Sequence, residues 1–205
     1  MKDIIILHAA EMGVVVSANQ ADLFIRYLNL IGKWNRIHNL TAVRNTQDML
    51  SYHLLDSLSV IPYINANSLL DVGTGAGLPG IPLAIMQPDL HVYLSDSNKK
   101  KSSFQQQAVI ELGLHNVTVM AGRVEDIDAT RKFDGIISRA FSEIALFTHL
   151  TQHLLAEHGY WYAMKGVYPS QELATLPEYV QIVAVHELAV PLLDAQRHLL
   201  VMNEK

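Results

Sequence analysis

From residue 68 onward, short β-rich segments alternate with helical segments, and no other feature of the sequence constrains the fold as strongly. The β-rich segments span residues 69–72, 92–95, 117–120, 135–137 and 160–164, and the helical segments span residues 81–86, 99–112 and 144–155. Strand–helix–strand crossovers are right-handed and give a parallel sheet with helices on both faces. The alternation therefore predicts an α/β fold with a doubly wound, mostly parallel sheet.

The alternation stops after Pro177, where two β-like runs at 180–188 and 198–202 are joined by a turn that contains Pro191. Because no helical segment separates these runs, we predict that they pair antiparallel at one end of the sheet. The sheet is then expected to have seven strands.

The first sixty residues have helical periodicity instead. Ser17 and Gln20 form a capping-box pattern, and apolar residues follow them at helical spacing. A second helical stretch runs from about Thr46 to Ile61, and Pro62 is expected to end it. We predict an N-terminal helical extension at residues 1–62 that packs on a main domain at residues 63–205.

Composition narrows the class of protein. The chain has 205 residues, of which 50% are hydrophobic and 17% are charged, which is enough to bury a core. No apolar run approaches the length of a membrane span, and no signal-peptide pattern precedes the first helix. Cysteine is absent, which excludes disulfides, thiolate zinc sites and cysteine nucleophiles. These features predict a cytoplasmic enzyme with no membrane partner.

Charge is unevenly distributed along the chain. The net charge of −5 argues weakly against a nucleic-acid partner, yet four basic residues and one acidic residue lie between residues 23 and 54. The basic residues are Arg26, Lys33, Arg36 and Arg44. Such a region is compatible with an anionic partner, and equally with a solvated helix face.

The strongest local motif is the turn Asp71-Val72-Gly73-Thr74-Gly75-Ala76-Gly77, which directly follows an apolar strand. Glycines let the backbone turn sharply and approach a ligand closely. Pro79 suits the first turn of the next helix, whose free N–H groups are expected to face an anionic ligand end. The motif predicts a cofactor site at Gly73, Gly75, Gly77 and Leu78.

Two cofactor classes fit a turn of this kind. Residues 75–80 satisfy G-x-G-x-x-G, but a dinucleotide site needs its first glycine directly after the strand. In that register the third glycine falls at position 78, where Leu78 stands. Asp71, two residues before the first glycine, suits the ammonium of a methionine tail. We therefore favour S-adenosylmethionine over a nicotinamide or flavin cofactor.

Two later strand ends complete the predicted pocket. Asp96 ends the second strand, where a carboxylate can accept both ribose hydroxyls or cap the next helix, and both roles can hold together. Residues 122–125 follow the third strand, where the backbone of Val124 and Glu125 could contact adenine while Arg123 points outward. Lys99, Lys100 and Lys101 begin a helix, where the macrodipole disfavours cations. A phosphate-rich partner would explain them, but for any single lysine a solvated surface run is the favoured alternative.

A set of motifs along the whole chain resembles the bacterial glucose-inhibited division protein B family, the small-subunit ribosomal RNA guanine-N7 methyltransferases. The matching stretches are 33–35, 39–44, 53–57, 71–82, 123–125, 137–141, 165–166 and 197–198. The resemblance implies a class I, Rossmann-like methyltransferase that uses S-adenosylmethionine.

The resemblance also implies roles for particular residues. The methyl donor would be contacted by Gly73, Leu78, Val124, Glu125 and Arg139, with Asp71 and Asp96 in the same pocket. The RNA would lie near Asn39, Arg44, His53, Asp56, Lys165 and Arg197. Lys100 is added to this set because of its place in the lysine run at a helix start. The substrate is expected to be small-subunit ribosomal RNA, either alone or in a ribosomal subunit or assembly intermediate, and the enzyme is expected to be a monomer.

The residues that are missing limit the chemistry. Methylation of a pyrimidine C5 needs a cysteine, and methylation of an exocyclic amine usually needs an Asn/Asp-Pro-Pro-aromatic turn where this chain has Ser138-Arg139-Ala140-Phe141. Ribose methylation needs an acid after the fourth strand, which is also absent. The N7 atom of guanine has a free lone pair and needs no general base, so alignment is enough.

For this reaction we expect Arg139, Arg123 and Lys165 to position the substrate, and Phe141 either to stack on a flipped base or to form a wall of the core. His53 and Asp56 could pair on one helix face. His149 and His153 have metal-ligand spacing but lack a third ligand beyond Glu157, so no metal is expected. The alternatives are a methyltransferase for another RNA atom or a small molecule, and a non-catalytic ribosome-assembly factor that senses the cofactor.

Overall fold

The computed structural model describes residues 1–139, 141 and 143–205, so Ala140 of the motif at 138–141 lies outside the described residues. One sheet of seven strands runs through it in the order β3-β2-β1-β4-β5-β7-β6. The strands are β1 (Ser68–Val72), β2 (His91–Asp96), β3 (Val117–Ala121), β4 (Phe133–Ser138), β5 (Leu155–Lys165), β6 (Val180–Glu187) and β7 (His198–Glu204).

Strands β1 to β5 pair in parallel, whereas β7 is antiparallel to both of its neighbours, β5 and β6. The predicted fold class and the predicted antiparallel pair are both confirmed. The carboxyl ends of parallel strands lie at the same edge of a sheet. In a doubly wound sheet, ligands bind at that edge, at the point where the strand order reverses. That reversal lies between β1 and β4, so the turn after β1 occupies the usual ligand position.

The helices lie before the sheet and between its strands. They are α1 (Lys2–Glu11), α2 (Ala18–His38), α3 (Thr46–Met49), α4 (Asp56–Leu58), α5 (Gly80–Met86), α6 (Lys99–Leu112), α7 (Ile144–Thr151) and α8 (Ser170–Leu173). Between α3 and α4 the chain is π-helical at Leu50–Leu55, and short 3₁₀ turns occur at Ile61–Tyr63, Val124–Asp126 and Gln152–Leu154.

Helix α2 begins at the predicted capping box. The Ser17 hydroxyl accepts a hydrogen bond from the Gln20 backbone N–H at 3.3 Å, and the Gln20 side chain accepts one from the Ser17 N–H at 2.9 Å. The Gln20 amide also donates to the Ile85 carbonyl at 3.1 Å, which ties α2 to the end of α5.

The N-terminal helices share one hydrophobic core with the sheet. Phe24 and Leu28 of α2 belong to the same buried cluster as Leu69 of β1 and Phe104 of α6. Trp34 packs edge-on against Phe104, with 5.6 Å between the ring centroids. This packing supports the proposed extension at residues 1–62, and the boundary at residue 62 stays a prediction.

Two predicted helix ends are wrong. Pro62 does not end the second helical stretch, because helix α4 already ends at Leu58. Pro62 lies inside the 3₁₀ turn Ile61–Tyr63, near its start, where the missing N–H of a proline costs no hydrogen bond. The helix predicted to reach Leu155 ends at Thr151, and Leu155 begins strand β5 by pairing with Phe133. At Leu155, pairing with β4 overrides the apolar pattern, which is similar for short helices and buried strands. At Pro62 the 3₁₀ turn is closed by local hydrogen bonds, from the Tyr63 N–H to the Val60 carbonyl and from the Ile64 N–H to the Ile61 carbonyl.

Candidate functional site

Three adjoining cavities lie along the carboxyl ends of the parallel strands. The Asp96 cavity has a volume of 270 Å³ and lies between β1, β2 and β3. The glycine-turn cavity, of 180 Å³, lies over residues 73–76, and the Asp56 cleft, of 330 Å³, lies beside β5 and β7. Gly73 lines the first two cavities and Arg139 lines the last two. The three cavities are therefore neighbours, and together they are called the groove below.

The glycine turn has the backbone that its sequence predicts. Gly73 and Gly77 have φ angles of 67° and 85°, in the left-handed region that side chains disfavour. The Gly73 N–H donates to the Ser95 carbonyl at 2.8 Å, which fixes the turn to the end of β2. A Cβ on Gly77 would lie 2.8 Å from Ile81 Cγ1, so this glycine also permits close packing of the turn on helix α5.

Asp71 lies fully buried beneath the turn and does not line any of the three cavities. Its Oδ2 accepts hydrogen bonds from the Gly80 N–H, at 2.7 Å, and from the Thr74 hydroxyl. Its Oδ1 has no partner among the described residues. Burial raises the pKa of the Asp71 carboxyl to about 6. In this structure Asp71 braces the turn from below.

The start of helix α5 is therefore not an anion site. The Gly80 N–H donates to Asp71, and the Ile81 N–H donates to the Gly77 carbonyl at 2.8 Å. The expectation that these N–H groups face an anionic ligand is wrong, because the chain supplies its own carboxylate there.

The Asp96 cavity brings together the residues predicted to hold an adenosine. Gly73, Asp96, Val124 and Glu125 all line it. The two oxygens of Asp96 accept hydrogen bonds from the backbone N–H groups of Gly75, at 2.9 Å, and of Asn98, at 2.8 Å. Each carboxylate oxygen has a second lone pair, so both can still accept a hydroxyl. The cavity thus fits a ribose whose base lies against the backbone at residues 124–125.

Asp96 is not the cap of helix α6. The N-cap is Asn98, whose side chain accepts a hydrogen bond from the Lys100 N–H at 3.0 Å. The expectation of a double role for Asp96 was wrong on this point, because the cap lies two residues later.

The Asp56 cleft collects basic residues from three parts of the chain. Arg139, Lys165 and Arg197 line it, together with Tyr52 and His53. Asp56 accepts hydrogen bonds from Arg139 Nη1 at 3.0 Å and from Arg197 Nε at 2.8 Å. Lys165 Nζ contacts both carboxylate oxygens of Glu172, at 2.9 and 2.8 Å. The cleft therefore presents three cations whose positions are set by carboxylates.

His53 does not pair with Asp56. Its Nε2 lies 2.9 Å from the Thr41 hydroxyl, and its Nδ1 has no partner among the described residues. Burial, and then the charge of Arg139, lower the pKa of His53 to about 4, so the ring is neutral at pH 7. Asn35 holds the same loop, since its side chain accepts from the Thr41 N–H at 2.9 Å and donates to the Val43 carbonyl at 3.1 Å.

Several predicted residues lie apart from the cleft. Arg123 lines the Asp96 cavity, whereas Arg139 and Lys165 line the Asp56 cleft. The Arg123 side chain is 74% exposed. Asn39, Arg44 and Lys100 are exposed and line none of the three cavities, and Asn39 ends helix α2 with a φ of 50°. Phe141 lines the Asp96 cavity and packs on Phe147, with centroids 5.4 Å apart, which favours its role as a wall.

Sequence reasoning missed two contributors to the cleft. Glu172 comes from helix α8, a single turn without a local signal, and it also accepts a hydrogen bond from the Ile144 N–H at 2.7 Å. The Tyr52 carbonyl accepts from Arg139 Nη1 at 3.0 Å, and a backbone acceptor of this kind has no sequence signature.

Across residues 1–139, 141 and 143–205, no group of three or more His, Asp or Glu side chains is placed to hold a metal ion. In the same ranges, no helix combines the length and apolar character needed to cross a bilayer.

Comparison with solved structures gives several that share this fold. A SAM-dependent methyltransferase from Aquifex aeolicus superimposes with a TM-score of 0.59 and 21% identity, over 73% of this chain and 90% of that one. TrmN from Thermus thermophilus gives a TM-score of 0.56 and 15% identity, over 76% of this chain and 53% of that one. At these identities the likeness shows the fold.

Comparison of the sequence is more specific. A protein of Laribacter hongkongensis named ribosomal RNA small subunit methyltransferase G is 57% identical over 190 residues, which is 93% of this chain and 92% of that protein. The protein of that name from Neisseria meningitidis serogroup B is 48% identical, over 96% of this chain and 95% of its own length. Residues 20–200 match the family described as rRNA small subunit methyltransferase G, and the chain belongs to this GidB family.

Proposed function

We propose that this chain transfers the methyl group of S-adenosylmethionine to the N7 atom of a guanosine in small-subunit ribosomal RNA. The observation that supports this most is the adjacency of the three cavities. Gly73 lines both the Asp96 cavity and the glycine-turn cavity, and Arg139 lines both the glycine-turn cavity and the Asp56 cleft. A donor at one end and an acceptor base at the other would meet beside Arg139.

The cofactor end of the groove fits the donor. Asp96 would accept the ribose hydroxyls, and the backbone at residues 124–125 would contact adenine. The methionine part would cross the glycine turn, where Lys101 and Arg139 line the cavity and suit its carboxylate. When bound, S-adenosylmethionine supplies a methyl group on a sulfonium, which is a strong electrophile.

The acceptor end suits a guanine whose N7 already has a free lone pair. No proton must be removed before transfer, so the residues of the cleft would orient the base and exclude water. Arg139, Lys165 and Arg197 are donors that can bind O6 of guanine or a neighbouring phosphate. His53 is neutral at pH 7, and we assign no general base.

Reaching the cleft requires the base to leave its stack in the RNA. Tyr52 lines the cleft and is 43% exposed, so it is a better candidate for stacking on the extruded base than Phe141. Outside the groove, the exposed residues Lys33, Arg36, Arg44 and Lys100 would contact phosphates. We also propose that the protein acts as a monomer in the cytoplasm.

Methyl transfer to hypomethylated small-subunit RNA tests this function directly. Tritiated cofactor should label that RNA, presented free or in the subunit, and mild reduction followed by aniline should then cleave the chain at the labelled guanosine. Label without cleavage would indicate another RNA atom. Cofactor binding with no transfer to either form would favour the alternative of a cofactor-sensing assembly factor.

A further inference from the structure

Asp56 lies where two arginines from distant parts of the chain meet. They are 83 and 141 residues further along the chain, and each donates to a different oxygen of this one carboxylate, at 3.0 and 2.8 Å. The Asp56 side chain is only 2% exposed. A buried carboxylate depends on its charged partners, and charge-assisted hydrogen bonds of this length are directional. The three side chains therefore fix one another's positions.

The two arginines extend over different parts of the groove. Both line the Asp56 cleft, but of the two only Arg139 also lines the glycine-turn cavity. Arg139 uses Nη1 for Asp56 and for the Tyr52 carbonyl, and Arg197 uses Nε for Asp56 and Nη1 for the Gln196 carbonyl. A guanidinium has five N–H donors, so each retains donors for a ligand.

The local backbone brings the acceptors together. The π-helical segment Leu50–Leu55 ends directly before Asp56, and a π turn inserts an extra residue into a helix. Tyr52, within that segment, supplies a carbonyl to the same guanidinium nitrogen that Asp56 contacts. Such segments occur often at functional sites, where they redirect side chains.

We propose that Asp56 is the positioning residue of this site: one buried carboxylate that sets Arg139 for the cofactor and Arg197 for the substrate. The substrate half of the proposal rests on the proposed function, whereas the cofactor half does not. A purely structural ion pair, which only ties the N-terminal helices to the sheet, makes a different prediction.

Asp56→Asn tests the proposal, with Asp134→Asn as the matched control. Asp134 accepts three hydrogen bonds from residues 67 and 68, at 3.0, 2.9 and 3.1 Å, near the start of β4 and away from the groove. Asp56→Asn should weaken the binding of S-adenosylhomocysteine, measured by calorimetry, by about tenfold or more. It should weaken the binding of small-subunit RNA by a similar factor. Asp134→Asn should lower the melting temperature while both affinities stay within about threefold of wild type.

Double-mutant cycles separate positioning from general destabilisation. Arg139→Ala should cost much less affinity for S-adenosylhomocysteine when Asp56 is already asparagine, and Arg197→Ala should cost much less affinity for RNA in that background. If the losses simply multiply, or if Asp56→Asn changes neither affinity, the proposal is wrong. Should Asp56→Asn fail to fold, the same cycles are run with Asp56→Glu, which keeps the charge but moves it by one methylene.

The two proposals fail in different ways. If the wild-type chain binds S-adenosylhomocysteine but neither binds nor methylates small-subunit RNA, the proposed function fails. The cycle between Asp56 and Arg139 still tests the positioning role in that case, because it needs no RNA.

Discussion

The carboxylate of Asp71 accepts a hydrogen bond from the backbone N–H of Gly80 at 2.7 Å, so the residue before the glycine turn is bonded to the helix after it. This bond closes the turn from below, on the side away from the groove. It explains why an acid precedes the glycines without placing that acid in a cavity. The turn depends on this bond for its shape.

Gly80→Ala should destabilise the protein by about 1–3 kcal/mol, as overpacking of a core does. A Cβ at this position would lie 2.8 Å from Asp71 Oδ2 and would also meet the Leu94 side chain. Gly32→Ala is the matched control, because Gly32 lies inside helix α2 and a Cβ there meets nothing within 4 Å. That variant should gain about 0.5–1 kcal/mol in urea unfolding. Equal effects of the two substitutions would contradict the packing of the turn.

Asp71 and His53 should give stability opposite dependences on pH. The pKa of Asp71 is raised from 3.8 to about 6. Its contribution to the free energy of unfolding is therefore fully present below pH 3.8 and is lost as the pH rises through 6. The pKa of His53 is lowered from 6.5 to about 4, so its contribution is full above pH 6.5 and is lost as the pH falls toward 4. Each effect amounts to about 3 kcal/mol over its full range.

Between pH 4 and 6 the two slopes oppose each other in the wild-type protein. The free energy of unfolding of Asp71→Asn should therefore rise more steeply with pH than that of wild type, and His53→Gln should show the reverse. Urea unfolding at several pH values across this interval measures both slopes. Curves for the two variants that run parallel to wild type would show that neither group titrates in this way.

Asp96→Asn should weaken binding of S-adenosylhomocysteine by about tenfold or more, because a carboxylate that accepts two hydroxyls loses its charge. Asn98→Ala is its control, since it removes the cap of helix α6 two residues away. Loss of that cap should cost about 1 kcal/mol of stability and leave the affinity nearly unchanged. Calorimetry and thermal unfolding of both variants decide the point, and an unchanged affinity in Asp96→Asn would remove this residue from the ribose site.

Lys100→Ala should weaken binding to small-subunit RNA and reduce the slope of log affinity against log salt by about one, as expected when one phosphate contact is lost. It should not lower stability, because a cation at a helix N-terminus is unfavourable. Lys132→Ala is the control, since Lys132 Nζ donates to the His153 carbonyl at 2.8 Å, away from the groove. If both variants keep the wild-type slope, Lys100 does not contact the RNA.

The fold could be predicted largely from local patterns, because each strand and crossover helix has its own periodicity. Helix α6 was predicted at its observed bounds, and six of the seven strands lie within two residues of their predicted ends, whereas β5 begins five residues before its predicted start. The errors lie at Pro62, where a short 3₁₀ turn follows the helix, and at Leu155, where pairing with β4 determines the conformation.

The site was less predictable, since its chemistry depends on contacts between distant residues. The glycine turn and Asp96 were predicted from strand ends, but the burial of Asp71 was not, because burial depends on what packs beneath the turn. The pairing of Asp56 with both arginines spans most of the chain, and no local spacing encodes it. Resemblance to a family placed these residues near one cleft without giving their partners.

The structure of the complex with S-adenosylhomocysteine, determined by crystallography, is the most direct test of the groove. We predict that the ribose contacts Asp96, that adenine lies against the backbone at residues 124–125, and that the sulfur lies beside Arg139 and faces the Asp56 cleft. A ligand bound elsewhere, or one whose sulfur faces away from that cleft, would contradict the account.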